Sequence, residues 1–225
     1  MVKAIAFDLD DTLMDTSGIL VPRASAAAFA ILIKAGLKLS QHECEKKRIE
    51  VIKTRSHKDV FLHLAQKFGN AETLKAVDLA IQAFYEPELP KALPLLPDAL
   101  INLNYLKDKY PLYLVTAGVE SAQRSKAKAL GIDDYFKTIY VTNSLRKERK
   151  AEVFLEIIKN LNILPNELLC VGNSLLSEIA DAQKIGAMAC YFEFGEDRGL
   201  LADFGVQKPQ FHIRHHKELI STCKL

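Results

Sequence analysis

The amino-acid sequence predicts an α/β protein in which a parallel, Rossmann-like sheet lies between two layers of helices. One observation is that short apolar runs, typical of buried strands, alternate with helix-favouring segments after residue 97. Strands that alternate with helices in this way form βαβ units and a parallel sheet. A second observation is that residues 20–86 show helical patterns without strand-like alternation. The apolar run at residues 3–7 must join the later sheet to be buried, so we expect the helical segment to be an insertion after this first strand.

The composition is that of an ordinary globular protein of one or two domains. The 225 residues are 49% hydrophobic and 26% charged, with a net charge of +2. No strong field therefore favours nucleic acid or an anionic membrane as a partner. The longest apolar runs, such as residues 24–33, are too short to span a bilayer. Four cysteines without paired spacing, and an N-terminus that resembles no signal peptide, predict a cytoplasmic protein.

The first predicted strand leads directly into Asp8, Asp10 and Asp11. Ligands of open α/β sheets bind outside the carboxyl ends of the strands, so these carboxylates are expected at such an edge. Carboxylates this close together are stable only beside a cation or strong hydrogen-bond donors. Because side chains alternate along an extended chain, we expect Asp8 and Asp10 to face one space and Asp11 to face away. The alternative is a surface turn rich in aspartate.

The insertion is predicted to contain four helices after a loop at residues 14–22. Gly36 is a typical helix stop, and Ser40 and Ser56 each precede an acidic residue by three positions, as in a capping box. Residues 87–97 carry four of the eight prolines and predict a linker. We therefore expect an α/β core domain of residues 1–15 and 94–225 and a helical domain of residues 16–93. The predicted helices of the insertion are residues 24–35, 40–55, 56–68 and 70–85.

Beyond the linker, helices and strands alternate to the end of the predicted sheet. The helices are expected to be amphipathic, with glycine stops at Gly131 and Gly186. The predicted strands are residues 112–115, 138–141, 168–171 and 187–192, and the predicted helices are residues 98–109, 121–130, 150–161 and 175–185.

Polar side chains follow three of these strands, and a lysine begins the helix before one of them. Carboxylates, a hydroxyl and an ammonium group at one sheet edge suit an oxyanion substrate with a hard divalent cation such as Mg²⁺. Asp8 would repel a phosphate dianion by roughly 4 kcal/mol per charge pair at ~4 Å, and Mg²⁺ and a lysine would offset that repulsion. The residues concerned are Asp8, Asp10, Thr12, Thr116, Lys150, Asn173 and Glu178.

These residues resemble the motifs of the haloacid dehalogenase superfamily. Asp8-x-Asp10-x-Thr12 after an apolar strand is similar to its first motif and Val115-Thr116 to its second. Lys150 is similar to its third motif, and the stretch from Gly172 to Glu178 to its fourth. The resemblance covers the whole chain, and the helical insertion corresponds to what the family calls a type 1 cap.

The resemblance implies a Mg²⁺-dependent phosphatase that acts on a small phosphorylated metabolite, as a monomer or homodimer. Asp8 would be the nucleophile that forms an aspartyl-phosphate, and Asp10 the acid and then the base. The superfamily's dehalogenases lack a carboxylate at the position of Asp10, which favours a phosphatase. The implied phosphate-binding residues are Thr12, Thr116, Ala117 and Lys150, and the implied metal ligands are Asp8, Asp10, Asn173 and Glu178. Thr12 alternatively caps its own turn.

Two positions depart from the family pattern and leave alternatives open. Most members carry Asp where this chain has Asn173 and Glu178, so a catalytically weak protein that binds a phosphometabolite or another protein is the second hypothesis. A phosphosugar mutase is the third. Lys147 is an alternative to Lys150 as the active-site lysine.

Other polar residues are expected to have no catalytic role. Asp181 is predicted to be a helix-surface or structural residue. His212, His215 and His216 are predicted to form a solvated surface run.

Overall fold

The computed structural model of the chain describes residues 1–143, 148–196 and 209–225. It divides into two compact units. The core unit comprises Met1–Ser17 and Leu89–Leu225, and the helical unit comprises Gly18–Glu88.

The described part of the core unit contains a six-stranded sheet in which every neighbouring pair of strands is parallel. The strands are β1 (Ala4–Phe7), β2 (Leu112–Ala117), β3 (Thr138–Thr142), β4 (Leu168–Gly172), β5 (Met188–Phe192) and β6 (Phe211–Ile213). Their order is β3-β2-β1-β4-β5-β6, so β1 lies at the centre and is buried along its whole length. The predicted α/β class with a parallel, Rossmann-like sheet is confirmed.

The helical unit differs from prediction at its two ends, at the loop predicted for residues 14–22 and at the single helix predicted for residues 70–85, where the structure has two helices. Its helices are α2 (Val21–Lys34), α3 (Gln41–Val51), α4 (His57–Phe68), α5 (Ala71–Lys75) and α6 (Val77–Tyr85), preceded by α1 (Thr16–Ile19) at the boundary. The loop predicted at residues 14–22 is wrong, because proline is compatible with the first turn of a helix and Pro22 stands in the first turn of α2. Both predicted capping boxes, at Ser40 and Ser56, are present.

The helices of the core unit flank the sheet. They are α7 (Ala99–Lys107), α8 (Glu120–Ala129), α9 (Lys150–Leu161), α10 (Ala180–Lys184) and α11 (Leu219–Cys223). The single helix predicted at residues 175–185 is wrong, since Leu175–Ile179 is a π-helical turn that α10 follows. Single π turns are frequent at functional sites. Among the described residues, no helix is both long and apolar enough to cross a membrane.

Candidate active site

Asp8, Lys150 and Glu178 lie in direct contact at the carboxyl ends of β1 and β4. The Lys150 ammonium group donates to Asp8 Oδ1 at 2.7 Å and to Glu178 Oε2 at 2.9 Å. The three residues are 7%, 3% and 2% exposed. The backbone N–H of Asp8 donates to the carbonyl oxygen of Val171 at 2.9 Å, so Asp8 continues the pairing of β1 with β4. Two carboxylates and one ammonium group therefore share a nearly dry site.

The start of α9 holds Lys150 in this position. Lys150 is the first residue of the helix, and Asp181 accepts hydrogen bonds from both neighbours of Lys150. The Arg149 guanidinium donates to Asp181 at 2.6 Å, and the Ala151 backbone N–H donates at 3.2 Å. Asp181 is buried, so its structural role is as predicted and its surface alternative is wrong. Lys147 lies outside the described residues.

Glu178 reaches Lys150 because the chain after β4 bends sharply. Ser177, inside the π turn, has non-helical backbone angles of φ −106° and ψ −106°. The Ser174 backbone N–H donates to Glu178 Oε1 at 2.6 Å. A Cβ atom on Gly172 would overlap the Glu178 carboxyl group. A residue without a side chain at the end of β4 is therefore a condition for this arrangement.

The charges of this cluster are not balanced. Burial raises the pKa of Asp8 to about 7; the Lys150 charge opposes that shift and the Glu178 charge adds to it. Burial acts to lower the pKa of Lys150, but Asp8 and Glu178 outweigh it and hold the pKa above its usual value. One lysine thus forms ion pairs with two buried carboxylates. This pair of buried carboxylates fits a site that takes up a cation beside Asp8, because a cation there would stabilise the ionised form of Asp8.

Asp10 lies in a different environment from that of Asp8. Its carboxylate accepts hydrogen bonds from the Lys126 ammonium group at 2.7 and 3.0 Å. It also accepts from Gln123 Nε2 at 2.9 Å and Thr16 Oγ1 at 2.5 Å. Burial acts to raise the pKa of Asp10, but Lys126, Thr16 and Gln123 outweigh it and lower the pKa.

The strand does not continue beyond Phe7, where β1 ends, so strand alternation does not set the directions of Asp10 and Asp11. Asp10 pairs with Met14 in a tight turn, and Asp11 takes the left-handed backbone conformation with φ 53°. The Asp11 carboxylate accepts hydrogen bonds from the backbone N–H and the hydroxyl of Ser17. Asp11 is therefore occupied within its own loop.

Lys126 and Gln123 are functional candidates that sequence reasoning missed. They occupy α8 three residues apart, on the same face as the buried residues Ala127 and Leu130. Two polar side chains in an otherwise core-facing stripe are a signal that the sequence contains. Their target, Asp10, lies more than a hundred residues away and is visible only in the structure.

Two buried hydroxyls at the strand ends have no partner among the described residues. Thr116 Oγ1, on β2 beside β1, and Thr12 Oγ1 make no hydrogen bond there. A buried hydroxyl without a partner is costly, so such a group favours a ligand that accepts or donates a hydrogen bond. Ala117, which follows Thr116, and Lys150 line a cavity of about 390 Å³; its other lining residues among those described include Arg149 and Asp181 but not Asp8, Thr12 or Thr116. Phosphate oxygens match this set of donors.

The oxygen donors near Asp8 suit a hard cation. Asn173 Nδ2 donates to the Phe194 carbonyl oxygen at 3.3 Å, a bond that does not use the amide oxygen of Asn173. No group of three or more His, Cys, Asp or Glu side chains in the described ranges is arranged to hold a metal. A cation here would depend on carbonyl, amide and water oxygens in addition to Asp8 and Glu178, which is the usual mixture for Mg²⁺.

His216 corrects the predicted solvated histidine run. Its ring is buried, and Nε2 donates to the Thr12 carbonyl oxygen at 2.6 Å. The Asn102 side-chain amide contacts His216 Nδ1 at 3.4 Å and donates to the His216 carbonyl oxygen at 2.7 Å. Apolar neighbours such as Phe192, whose ring centroid lies 4.8 Å away, make this a core position. His212 and His215 are exposed, as predicted.

Comparison with known sequences assigns the chain to a protein family. The family model described as haloacid dehalogenase-like hydrolase matches residues 2–186. A glyceraldehyde 3-phosphate phosphatase from Methanopyrus kandleri is 28% identical, over 100% of this chain and 98% of that protein. A glyceraldehyde 3-phosphate phosphatase from Methanothermobacter thermautotrophicus is 30% identical, over 84% of each.

Solved structures show the same fold. A predicted phosphoglycolate phosphatase from Haemophilus somnus superposes with a TM-score of 0.73 at 21% identity, covering 98% of this chain and 97% of its own. The HAD-hydrolase YfnB from Bacillus subtilis, solved bound to magnesium, superposes with a TM-score of 0.66 at 20% identity. That comparison covers 100% of this chain and 99% of the other.

Proposed function

The chain belongs to the haloacid dehalogenase-like hydrolases and is a phosphatase of that family, and from this premise we propose that it hydrolyses small phosphomonoesters through a phosphate ester on Asp8. The observation that carries the proposal is the buried contact of Asp8, Lys150 and Glu178 beside the unpartnered Thr116 hydroxyl. The proposed nucleophile, the ammonium group that pairs with it and a hydroxyl that can donate a hydrogen bond to phosphate thus lie at the ends of adjacent strands.

The proposed reaction has two displacements at phosphorus. In the first, an Asp8 carboxylate oxygen forms a bond to phosphorus, the bond to the substrate's ester oxygen breaks, and Asp10 gives the departing alcohol a proton. Asp10 must be protonated when this step begins, so it cannot then keep all four of the hydrogen bonds that its carboxylate accepts in this structure. In the second, water attacks phosphorus and gives a proton to Asp10, and the bond between Asp8 and phosphorus breaks. Inorganic phosphate leaves and both aspartates return to their first state.

The remaining residues of the site bind the phosphoryl group and its charge. We assign the Thr116 hydroxyl, the Ala117 backbone N–H and Lys150 to the phosphoryl oxygens, with Thr12 as a further donor. Preorganised donors of this kind stabilise the charge that develops in phosphoryl transfer.

We propose that Mg²⁺ is held by Asp8, the backbone carbonyl of Asp10, Asn173 and Glu178. When bound, it would supply positive charge that offsets the repulsion of the phosphate dianion by Asp8. The raised pKa of Asp8 supports this assignment, because a cation would stabilise the ionised form of that buried carboxylate, and a relative in the fold comparison was solved with magnesium.

The substrate class follows from the relatives. Several of them are named for the hydrolysis of phosphate from glyceraldehyde 3-phosphate or N-acylneuraminate 9-phosphate. We propose a small sugar-like phosphomonoester. We also propose that the helical unit is the family's type 1 cap, because it is inserted along the chain between Asp8 and Thr116.

A phosphate-release screen with excess Mg²⁺ tests the proposal, with D8N as the blank. The wild type should release phosphate from at least one member of a panel of sugar phosphates, and chelation of Mg²⁺ should stop it. D8N should lower kcat by about a thousandfold or more, because it removes the nucleophile. D11N is the matched control in the same loop and should keep its activity, since asparagine tolerates the left-handed conformation and can bond Ser17.

Three outcomes would contradict the proposal. D8N with activity near that of the wild type would exclude Asp8 as nucleophile. Isomerised rather than dephosphorylated product would indicate a mutase. Binding of a phosphorylated ligand without hydrolysis would favour the weak-catalyst alternative, which Asn173 supports because an amide contributes no negative charge to a metal site.

A further inference from the structure

Both oxygens of the Asp10 carboxylate are saturated with donors from outside its own turn. Oδ1 accepts from Thr16 at 2.5 Å and Lys126 at 2.7 Å. Oδ2 accepts from Gln123 at 2.9 Å and Lys126 at 3.0 Å. A carboxylate held by an ammonium group across both oxygens and by two further donors has little freedom to rotate.

The two α8 residues in this network are buried to a degree that is unusual for their residue types. Lys126 is 7% exposed and Gln123 is 4% exposed, although lysine and glutamine are normally surface residues. Burying an ammonium group costs free energy that only a close partner offsets, and Asp10 is the partner that the described structure gives Lys126. Gln123 Nε2 also donates to the Ala117 carbonyl oxygen at 3.0 Å, which links the end of β2 to Asp10.

The turn between β2 and α8 is shaped to admit Gln123. Gly118 has φ +151°, a conformation that side chains disfavour, and a Cβ atom there would meet Gln123 Nε2 within 2.6 Å. The absence of a side chain at this position lets the amide pass between Ala117 and Asp10. The network thus depends on the backbone of the turn as well as on its side chains.

We propose that Lys126 is a positioning residue for Asp10, assisted by Gln123. The inference rests on the proposed function, in which Asp10 passes a proton to the leaving group and takes one from water. Proton transfer requires the two heavy atoms within about 3 Å in a plausible pose, and small misplacements cost large factors in rate. Lys126 touches Asp10 and not the phosphoryl-binding groups, so it acts on the chemical steps through Asp10.

The test compares K126M, K126R and the control K128M in steady-state kinetics with a phosphomonoester that the wild type hydrolyses. K126M should lower kcat by about tenfold to a hundredfold, a part of the 10²–10⁴ that general acid–base catalysis provides. KM and the inhibition constant of inorganic phosphate should change much less. K126R, which keeps the cation, should recover part of kcat. Lys128 is an exposed lysine of the same helix, so K128M should behave as the wild type.

A double-variant cycle separates positioning from a structural role. If Lys126 acts through Asp10, K126M should lower kcat far less in a D10N background than in the wild type. A structural role would lower both by the same factor. If K126M does not fold, as judged by circular dichroism and thermal unfolding, K126R replaces it in the cycle, because K126R keeps the buried cation and changes only the geometry of its contact with Asp10.

The outcomes separate the two proposals. A wild type that hydrolyses phosphomonoesters, with K126M at full kcat or with additive losses in the cycle, would overturn the positioning role and leave the proposed function standing. A wild type without hydrolysis on the whole panel would contradict the proposed function, and the inference would fall with it.

Discussion

His216 joins the C-terminal part of the chain to the loop that follows β1. Because Nε2 faces the Thr12 carbonyl oxygen, it must carry the ring proton, which leaves Nδ1 as the acceptor towards Asn102. Burial lowers the pKa of His216, while the bond to Thr12 and the charge of Asp98 oppose that shift. The folded protein therefore favours the neutral ring.

This side chain predicts a pH dependence of stability. As the pH falls below the ordinary histidine pKa of about 6.5, His216 gains a proton in the unfolded chain before it does so in the folded one. Stability should therefore be lost between about pH 6.5 and the lowered pKa, by about 1.4 kcal/mol for each unit of lowering. The measurement is urea unfolding of the wild type and H216Q at pH 5 and 7.5. The difference in the free energy of unfolding between the wild type and H216Q should be smaller at pH 5 than at pH 7.5. An equal change with pH in the two proteins would contradict the prediction.

Gly172 is the feature that decides how β4 meets the π turn. The Glu178 carboxyl group occupies the space that any side chain at residue 172 would need. A short strand can end in glycine without loss of pairing, and Gly172 still pairs with Tyr191 of β5. The end of β4 thus leaves space for the Glu178 carboxyl group and also continues the pairing with β5.

G172A tests this role. The added methyl group should displace Glu178 from Lys150 and raise the Mg²⁺ concentration needed for half-maximal activity, with a stability loss of about 1–3 kcal/mol from overpacking. Magnesium titration of activity together with thermal unfolding provides the measurement. G131A is the control, because its φ of +66° makes alanine strained there while nothing lies within 4 Å of the new atom. A normal Mg²⁺ requirement in G172A would exclude the proposed part of Glu178 in metal binding.

At the scale of elements, the sequence predicts best where the pattern is local. Helix α9 has the predicted bounds because its apolar period is strong from Lys150 to Leu161. The short strand β6 was missed, since three residues carry no alternation and only pairing with β5 stabilises them. The π turn was missed because the bend at Ser177 accompanies a contact of Glu178 with a distant lysine. The sequence was enough to select Asp8, Lys150 and Glu178 as candidate site residues, from their places near strand ends and their resemblance to the family motifs. Lys126 could be selected only from its contact with Asp10 in the structure.

At the scale of the whole molecule, each unit has an apolar core of its own. The core unit buries Phe154 and Tyr191 against the sheet, and the helical unit buries Phe29 and Phe61, whose ring centroids lie 5.8 Å apart. The four cysteines are divided between the units, with Cys44 in the helical one. All four are free and buried, and burial raises the pKa of Cys44 to about 11.

Thiol labelling should therefore report the integrity of both units. The native protein should react with Ellman's reagent at less than one thiol per chain within minutes, because buried thiols with raised pKa values are poor nucleophiles. In guanidinium chloride all four should react, and C44A should yield three. Fast labelling of several thiols in the native protein would show that a core opens readily under native conditions.

The central position of β1 in the sheet has a consequence for folding during translation. Its neighbours β2 and β4 begin at Leu112 and Leu168, so the first of them is synthesised about a hundred residues after β1. At roughly 5–20 residues per second, translation leaves this apolar strand unpaired for about 5–20 seconds, while the contiguous helical unit is already complete. A strand that is fully buried in the folded protein is thus exposed on the ribosome for this time, when it can bind chaperones or associate with other chains.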